Sequence, residues 1–293
     1  MSAAFTRADT SVVGRWWWTV DRWLLFAAGT LVVIGMILTL AAGPPAAGRI
    51  GADTYHFVRK QSVFLPIAIA LMLSVSLMPA LWIRRFSAIG LFIAFMMMLG
   101  TLIFGAEING ATRWLRLGGL SIQPSEFIKP FLVIVSAWMF TLNRTKEGVP
   151  GNIIALGCLM MVCAVLLSQP DVGMTMVIVS VWCAQFFMAG LPIFWAVLIA
   201  FLGLGALVGA YFLFPHVASR VDRFLDPSSG DTYQVTQAIR AFQNGGIFGR
   251  GPGEGRVKET LPDAHTDFIF AVAGEEFGVL LCLFVVALFG FLV

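Results

Sequence analysis

The sequence predicts an all-α fold, a polytopic bundle of membrane-spanning helices, and three observations carry that prediction. Of 293 residues, 59% are hydrophobic and 12% charged, against roughly 45–50% and 25% for a soluble domain. A soluble fold of this size could not hide so much apolar surface around one core. The apolar residues also fall into blocks of about 17–22, the length that crosses the hydrocarbon core of a bilayer.

Eight blocks are read in order, at Leu24–Ala42, Val63–Leu81, Ala88–Gly105, Phe127–Leu142, Ile153–Leu167, Gly173–Ala189, Phe194–Phe214 and Phe277–Val293. Backbone in lipid must satisfy its own hydrogen bonds, so each block is expected to be a helix. Ahead of the first stand Trp16, Trp17, Trp18 and Trp23 among Arg15 and Arg22, the composition of an interfacial belt. The first block is too long for the core of a signal peptide, so it is expected to remain as an anchor. The final apolar run reaches Val293 with no polar flank, which reads as a chain cut short at its C-terminus.

Arg7, Arg15, Arg22, Arg84, Arg85, Arg144 and Lys146 fall on the side of the N-terminus, and Arg49, Arg59, Lys60, Arg113 and Arg116 on the other. This slight excess places residues 1–23 in the cytoplasm. Two long connections then lie outside, Ala106–Glu126 and a large extracytoplasmic loop over residues 215–268. The whole of 1–293 reads as one membrane domain. No internal repeat supports an inverted-repeat transporter.

Several classes are disfavoured. A net charge of +3 with scattered basic residues leaves no nucleic-acid footprint. Cys158, Cys163, Cys183 and Cys282 all sit in apolar blocks without a Cys-x-x-Cys pair, as packing residues do. The three histidines lack metal-helix spacing, so no protein metal site is expected.

Charge at membrane depth is expensive, and three clusters bring it there. In Gln123-Pro124-Ser125-Glu126-Phe127-Ile128-Lys129-Pro130, Glu126 and Lys129 would share a helix face. Pro130 is tolerated best in a first turn, so the regular helix is expected to begin near Lys129. The plain alternative is an acidic helix start with a snorkelling lysine. In Leu261-Pro262-Asp263-Ala264-His265-Thr266-Asp267-Phe268, Asp267 precedes an apolar run. It is expected to be partly desolvated and suited to act as a base. Its alternative is a helix cap supplied by Thr266 or Asp267. In the third cluster, Gly245–Gly255, a glycine-rich turn would let backbone N–H groups and Arg250 approach a pyrophosphate. Asp171, in Gln169-Pro170-Asp171-Val172-Gly173, marks a helix break of the kind that lines a cavity. Glu275 and Glu276 read as buried polar contacts.

These stretches, in this order, resemble the SEDS family of shape, elongation, division and sporulation proteins. The match is most specific at Leu261–Gly278 (LPDAHTDFIFAVAGEEFG). It is supported by Gly110–Lys129, Gln169–Gly173, Tyr55–Gln61 and Arg223–Pro227. Ala264 and Gly274-Glu275-Glu276 look more like the division branch than the elongation branch.

The resemblance implies ten spanning helices and a peptidoglycan glycosyltransferase that polymerises lipid II. It implies a class B penicillin-binding transpeptidase and other division-complex membrane proteins as partners. It also implies a location in the bacterial cytoplasmic membrane at the division septum. Asp267 matches the family's essential aspartate, and Glu126 and Lys129 match its paired positions. Arg113, Arg116, Asp171, Arg250 and His265 are the substrate-binding candidates. No organic cofactor is called for; a divalent cation, Mg or Mn, bound with the phosphates is a candidate helper.

A lipid II flippase would need the same basic residues and lipid contacts. It would also need polar groups along a path through the midplane. The polar clusters concentrate on one face, and the first, third and seventh blocks are nearly uncharged. That favours the enzyme. A non-catalytic division scaffold is the remaining alternative.

Overall fold

The computed structural model describes residues 11–108, 111–117, 120–144, 148–169, 171–190 and 233–293, with scattered positions between 194 and 222. The elements in chain order are α1 (Val12–Thr19), α2 (Arg22–Arg49), α3 (His56–Ser76), α4 (Ala80–Phe104), β1 (Ala106–Ile108), β2 (Ala111–Leu117) and β3 (Leu120–Ile122). They continue with α5 (Pro124–Arg144), α6 (Gly151–Ser168), α7 (Val172–Met188), α8 (Tyr233–Gly245), α9 (Val257–Thr260) and α10 (Ile269–Leu292). Among the described residues six helices are long and apolar enough to span a bilayer, namely α2 to α6 and α10, and α7 is a shorter apolar helix. The chain is an integral membrane protein. The block expected at Phe194–Phe214 lies largely outside the described residues, as does much of the loop expected at 215–268.

The chain forms two compact units. The first comprises Met1–Leu77 and Arg223–Val293. Ser11 caps α1 by accepting from the Gly14 N–H, and the Arg22 guanidinium stands 5.2 Å and 5.3 Å from the ring centres of Trp17 and Trp18. The tryptophan belt is thus a short helix whose rings meet a cation. Asp21 caps α2 through the N–H groups of Trp23 and Leu24.

That helix outruns its predicted end at Ala42 and passes through Pro44 and Pro45. Two prolines remove donors and crowd the preceding turn. Burial of Ala42, Gly43, Ala46 and Ala47 holds the turn in place. Ala42 packs with Ala241, Val257, Leu261, Ala264, Ala271 and Val272, while Leu38 packs with Ala273 and Cys282. Helix α2 therefore backs α8, α9 and α10.

Two glycines set this packing. A Cβ on Gly245 would fall on the carbonyl oxygen of Gly274, so only glycine lets α8 lie against α10. Gly278 has φ 78° and ψ −179° and breaks α10. The freed N–H groups find substitutes, with Val279 N donating to Gly246 O at 3.0 Å and Leu280 N to Ile247 O at 3.4 Å.

The second unit is Met78–Asp222. Helices α4 to α7 enclose a core that includes Met98, Ile128, Leu132, Phe140, Leu166 and Trp182. The fold is the expected helix bundle, and the connection between α4 and α5 adds a small three-stranded antiparallel sheet in the order β1-β2-β3. One expectation needs correction here. Helix α5 starts at Pro124, not near Lys129. Proline suits a first helical position because its missing N–H would be unpaired there anyway. Pro130 is then interior, and its cost is one donor lost toward the Glu126 carbonyl.

Candidate functional site

The turn that carries Asp267 is built by Asp263, whose φ of 52° is the left-handed value that aspartate tolerates better than most residues. Its carbonyl accepts from Thr266 N at 3.0 Å, Phe268 N at 3.2 Å and Thr266 Oγ1 at 3.3 Å. Leu261 and Ala264 are fully buried and anchor the segment. Arg49 Nη1 donates to the Leu261 carbonyl at 2.5 Å. The His265 ring lies over Phe57 at the start of α3, with centroids 3.9 Å apart and planes at 37°.

Asp267 is held out from this braced turn. It is exposed and makes no hydrogen bond or ion pair among the described residues. The first turn of α10 receives no side-chain cap, so neither Thr266 nor Asp267 acts as the cap that the sequence left open. The partial desolvation expected of Asp267 is not supplied by protein packing, because the residue is exposed.

His265 is half-buried, and burial pushes its imidazole below the usual histidine value. Asp263 and Asp267 oppose that shift, and Arg49 adds to it. Its Nδ1 is buried without a hydrogen-bond partner among the described residues. A neutral ring beside Asp267 can donate or accept a hydrogen bond without adding charge.

The glycine-rich segment departs from expectation. Three of its N–H groups, those of Arg250, Gly251 and Gly253, are taken by α10 rather than left for a phosphate cradle. Arg250 N and Gly251 N donate to the carbonyls of Glu275 and Glu276, each at 3.0 Å. The two carboxylates, both buried, collect further donors. Glu275 accepts from Arg256 N at 3.1 Å and from Val257 N at 3.0 Å. Glu276 accepts from Gly253 N at 2.9 Å and from Lys258 Nζ at 2.5 Å. The expectation that Glu275 and Glu276 are buried polar contacts is met. Arg250 keeps an exposed guanidinium 3.9 Å from Glu275.

In the second unit, Lys129 Nζ and Glu126 Oε2 form a 2.6 Å pair, both partly exposed. Arg113, reaching from β2, pairs with Asp171 at 3.3 Å, and the Asp171 side chain is 7% exposed. Asp171 Oδ1 also caps α7 through Met174 N at 3.2 Å. Beside this break the buried Gln169 donates to Met98 O at 3.1 Å and to Thr101 Oγ1 at 2.5 Å. The side chain of Arg116 and the whole of Pro170 lie outside the described residues.

The structure thus joins Glu126 to Lys129, Arg113 to Asp171, and His265 to the Asp267 turn. Sequence reasoning missed Lys258, Arg49, Phe57 and Gln169. Only Gln169 and Phe57 carried a signal, since each lies in a stretch the resemblance singled out. Among the described residues no group of three or more His, Cys, Asp or Glu is placed to hold a metal ion.

Comparison with known proteins gives this geometry a context. The family model for cell cycle proteins of the FtsW, RodA and SpoVE type matches residues 22–293. The chain is 45% identical over 291 residues to a probable peptidoglycan glycosyltransferase FtsW from Caulobacter vibrioides, covering 99% of this chain and 75% of that one. It is 33% identical over 264 residues to the protein of the same name from Escherichia coli O157:H7, covering 88% of this chain and 64% of the relative. The chain therefore spans about two-thirds to three-quarters of these relatives. Among solved structures, a peptidoglycan synthase complex described as coordinating polymerization and crosslinking matches with a TM-score of 0.70 at 26% identity, over 94% of this chain and 76% of that chain. The rod shape determining protein RodA from Thermus thermophilus matches in fold with a TM-score of 0.59 at 22% identity, over 94% of this chain and 74% of that one.

Proposed function

The chain belongs to the cell cycle protein family of FtsW, RodA and SpoVE, and from that premise we propose that it is a peptidoglycan glycosyltransferase that polymerises lipid II at the outer face of the cytoplasmic membrane. The observation that carries the reading is Asp267, a carboxylate held free on a turn braced by Asp263, Arg49 and Phe57. Strand growth needs a sugar hydroxyl to attack the anomeric carbon that bears the lipid pyrophosphate. A C–O bond forms there, the bond to the pyrophosphate breaks, and the hydroxyl proton passes to a base. Asp267 is that base. His265 offers a neutral ring nitrogen to substrate or proton.

Arg250 in the first unit, and Lys129, Arg113 and Arg116 in the second, are cations of the kind a departing pyrophosphate needs, with Glu126 pairing with Lys129 and Asp171 with Arg113. A divalent cation, Mg or Mn, would be held by the phosphates themselves. A class B penicillin-binding transpeptidase is the expected partner, other division-complex proteins are further partners, and the septum is the expected site of action.

The test is glycan polymerisation by the full-length protein with its transpeptidase partner, supplied with purified lipid II. Chains of several disaccharides support the enzyme. Movement of lipid II across vesicles without polymerisation would replace it by a flippase.

A further inference from the structure

The glycine-rich segment presents two large apolar side chains outward. Ile247 is 63% exposed and Phe248 79% exposed. They sit at the tip of a turn whose inner side is occupied, because Gly249 N donates to Gly245 O at 2.8 Å while Gly246 O and Ile247 O accept from Val279 and Leu280 of α10. With its backbone tied down in this way, the tip has no room to turn its apolar groups inward.

The place where the tip is tied also matters. Gly278 divides α10 into two parts of different character. Before the break, Ala271 to Glu276 are all buried, and the two carboxylates are collected by the loop. Beyond it no charged residue remains up to Val293. There Val279, Leu280, Leu283 and Phe284 stand between 40% and 59% exposed. In an integral membrane protein, exposed apolar helix surface of that kind is suited to contact with lipid. The two residues that bond the tip, Val279 and Leu280, are the first of that surface. Ile247 and Phe248 therefore continue that apolar surface, with the exposed Arg250 close behind them. Apolar and aromatic tips followed by a cation fit the layer where acyl chains meet anionic headgroups.

We propose that Ile247 and Phe248 insert into the bilayer and anchor this loop on the membrane surface, the lipid being their partner. The glycines of the turn then serve a second purpose, letting a short tip project from a segment otherwise committed to Glu275 and Glu276.

The test uses the full chain with its four cysteines replaced by alanine, reconstituted in phosphatidylethanolamine–phosphatidylglycerol vesicles. A single cysteine, from Phe248→Cys or in a second variant Ile247→Cys, carries an environment-sensitive fluorophore. Gln243→Cys on the exposed side of α8 is the reference. Nitroxides on shallow acyl positions should quench the tip probes at least about threefold more than the reference, and aqueous iodide should quench them correspondingly less, as for an interfacial anchor. Because both side chains are exposed, the variants should unfold thermally like the cysteine-free parent, which separates misfolding from loss of insertion. Equal nitroxide quenching at tip and reference, with full iodide access, would overturn the proposal. So would a tip that becomes shielded only when a partner protein is added, which would make it a protein-docking surface.

Discussion

Lys258 Nζ lies 2.5 Å from Glu276 Oε1, with the two side chains 7% and 0% exposed. This buried pair, beside Glu275 and the N–H groups of Arg256 and Val257, ties the glycine-rich segment to α10. Removing one partner of a buried pair leaves an uncompensated charge, whereas replacing both with apolar groups is often neutral. Glu276→Ala is therefore expected to destabilise the protein by about 3–5 kcal/mol. Lys258→Met combined with Glu276→Leu should recover much of the loss. Thermal unfolding in detergent measures both; a double variant as unstable as Glu276→Ala would refute the pairing.

Two glycines should respond in opposite directions. A Cβ at Gly245 meets the Gly274 carbonyl, which is backbone and cannot step aside, while nothing lies within 4 Å of one at Gly290. Gly245→Ala is expected to cost about 2 kcal/mol or more through overpacking. Gly290→Ala, inside α10, should be neutral or stabilise by up to about 1 kcal/mol. The same unfolding assay compares them.

The spanning helices were legible because an apolar run of bilayer length has few other readings. The ends were less so: Pro44 and Pro45 read as a stop, yet burial of small residues carries α2 through them to Arg49. The sheet was missed although its signals are present. Asn109-Gly110 and Gly118-Gly119 separate the strand segments, and such pairs between β-prone runs mark hairpins. Arg113 and Arg116 drew attention as cations and hid the alternation around them. At the site, Asp267, Glu126 and Lys129 stood out because charge beside apolar runs is conspicuous. Lys258 was invisible: its partner lies 18 positions away, and no local pattern links them. The glycine-rich segment was read by its N–H groups, and only the fold shows that Glu275 and Glu276 take those of Arg250, Gly251 and Gly253.

His265 makes stability depend on pH. Burial, the largest influence, depresses its pKa below the ordinary histidine value of about 6.5. A depressed folded value means that the unfolded chain binds the proton first as pH falls. The contribution is thus fully present above about 6.5 and is lost as pH falls through the folded pKa. Unfolding temperature should decline on acidification from about pH 7 to pH 5, and His265→Gln should flatten that decline. Identical slopes for parent and variant would remove His265 as the source.

The final expectation separates the proposed base, Asp267, from its structural surroundings. Asp267 caps nothing, since α10 begins without a side-chain cap, and it makes no bond among the described residues. Asp267→Asn keeps size and polarity, so insertion, unfolding temperature and partner binding should remain as in the parent. An amide cannot take a proton at neutral pH, so polymerisation of lipid II should fall by at least about 10²-fold. Lys129→Met is the companion. Its ion pair with Glu126 is partly exposed, and such pairs contribute little stability. Its loss should leave folding intact while slowing the reaction through weaker leaving-group stabilisation. Thr266→Ala removes a hydroxyl that donates only within the turn, to Asp263 O at 3.3 Å, and should cost far less activity than Asp267→Asn. If Asp267→Asn polymerised lipid II at the parental rate, the base would have to be sought elsewhere. If all three variants lost activity together with unfolding temperature, the turn would be structural and Asp267 would have no separate role.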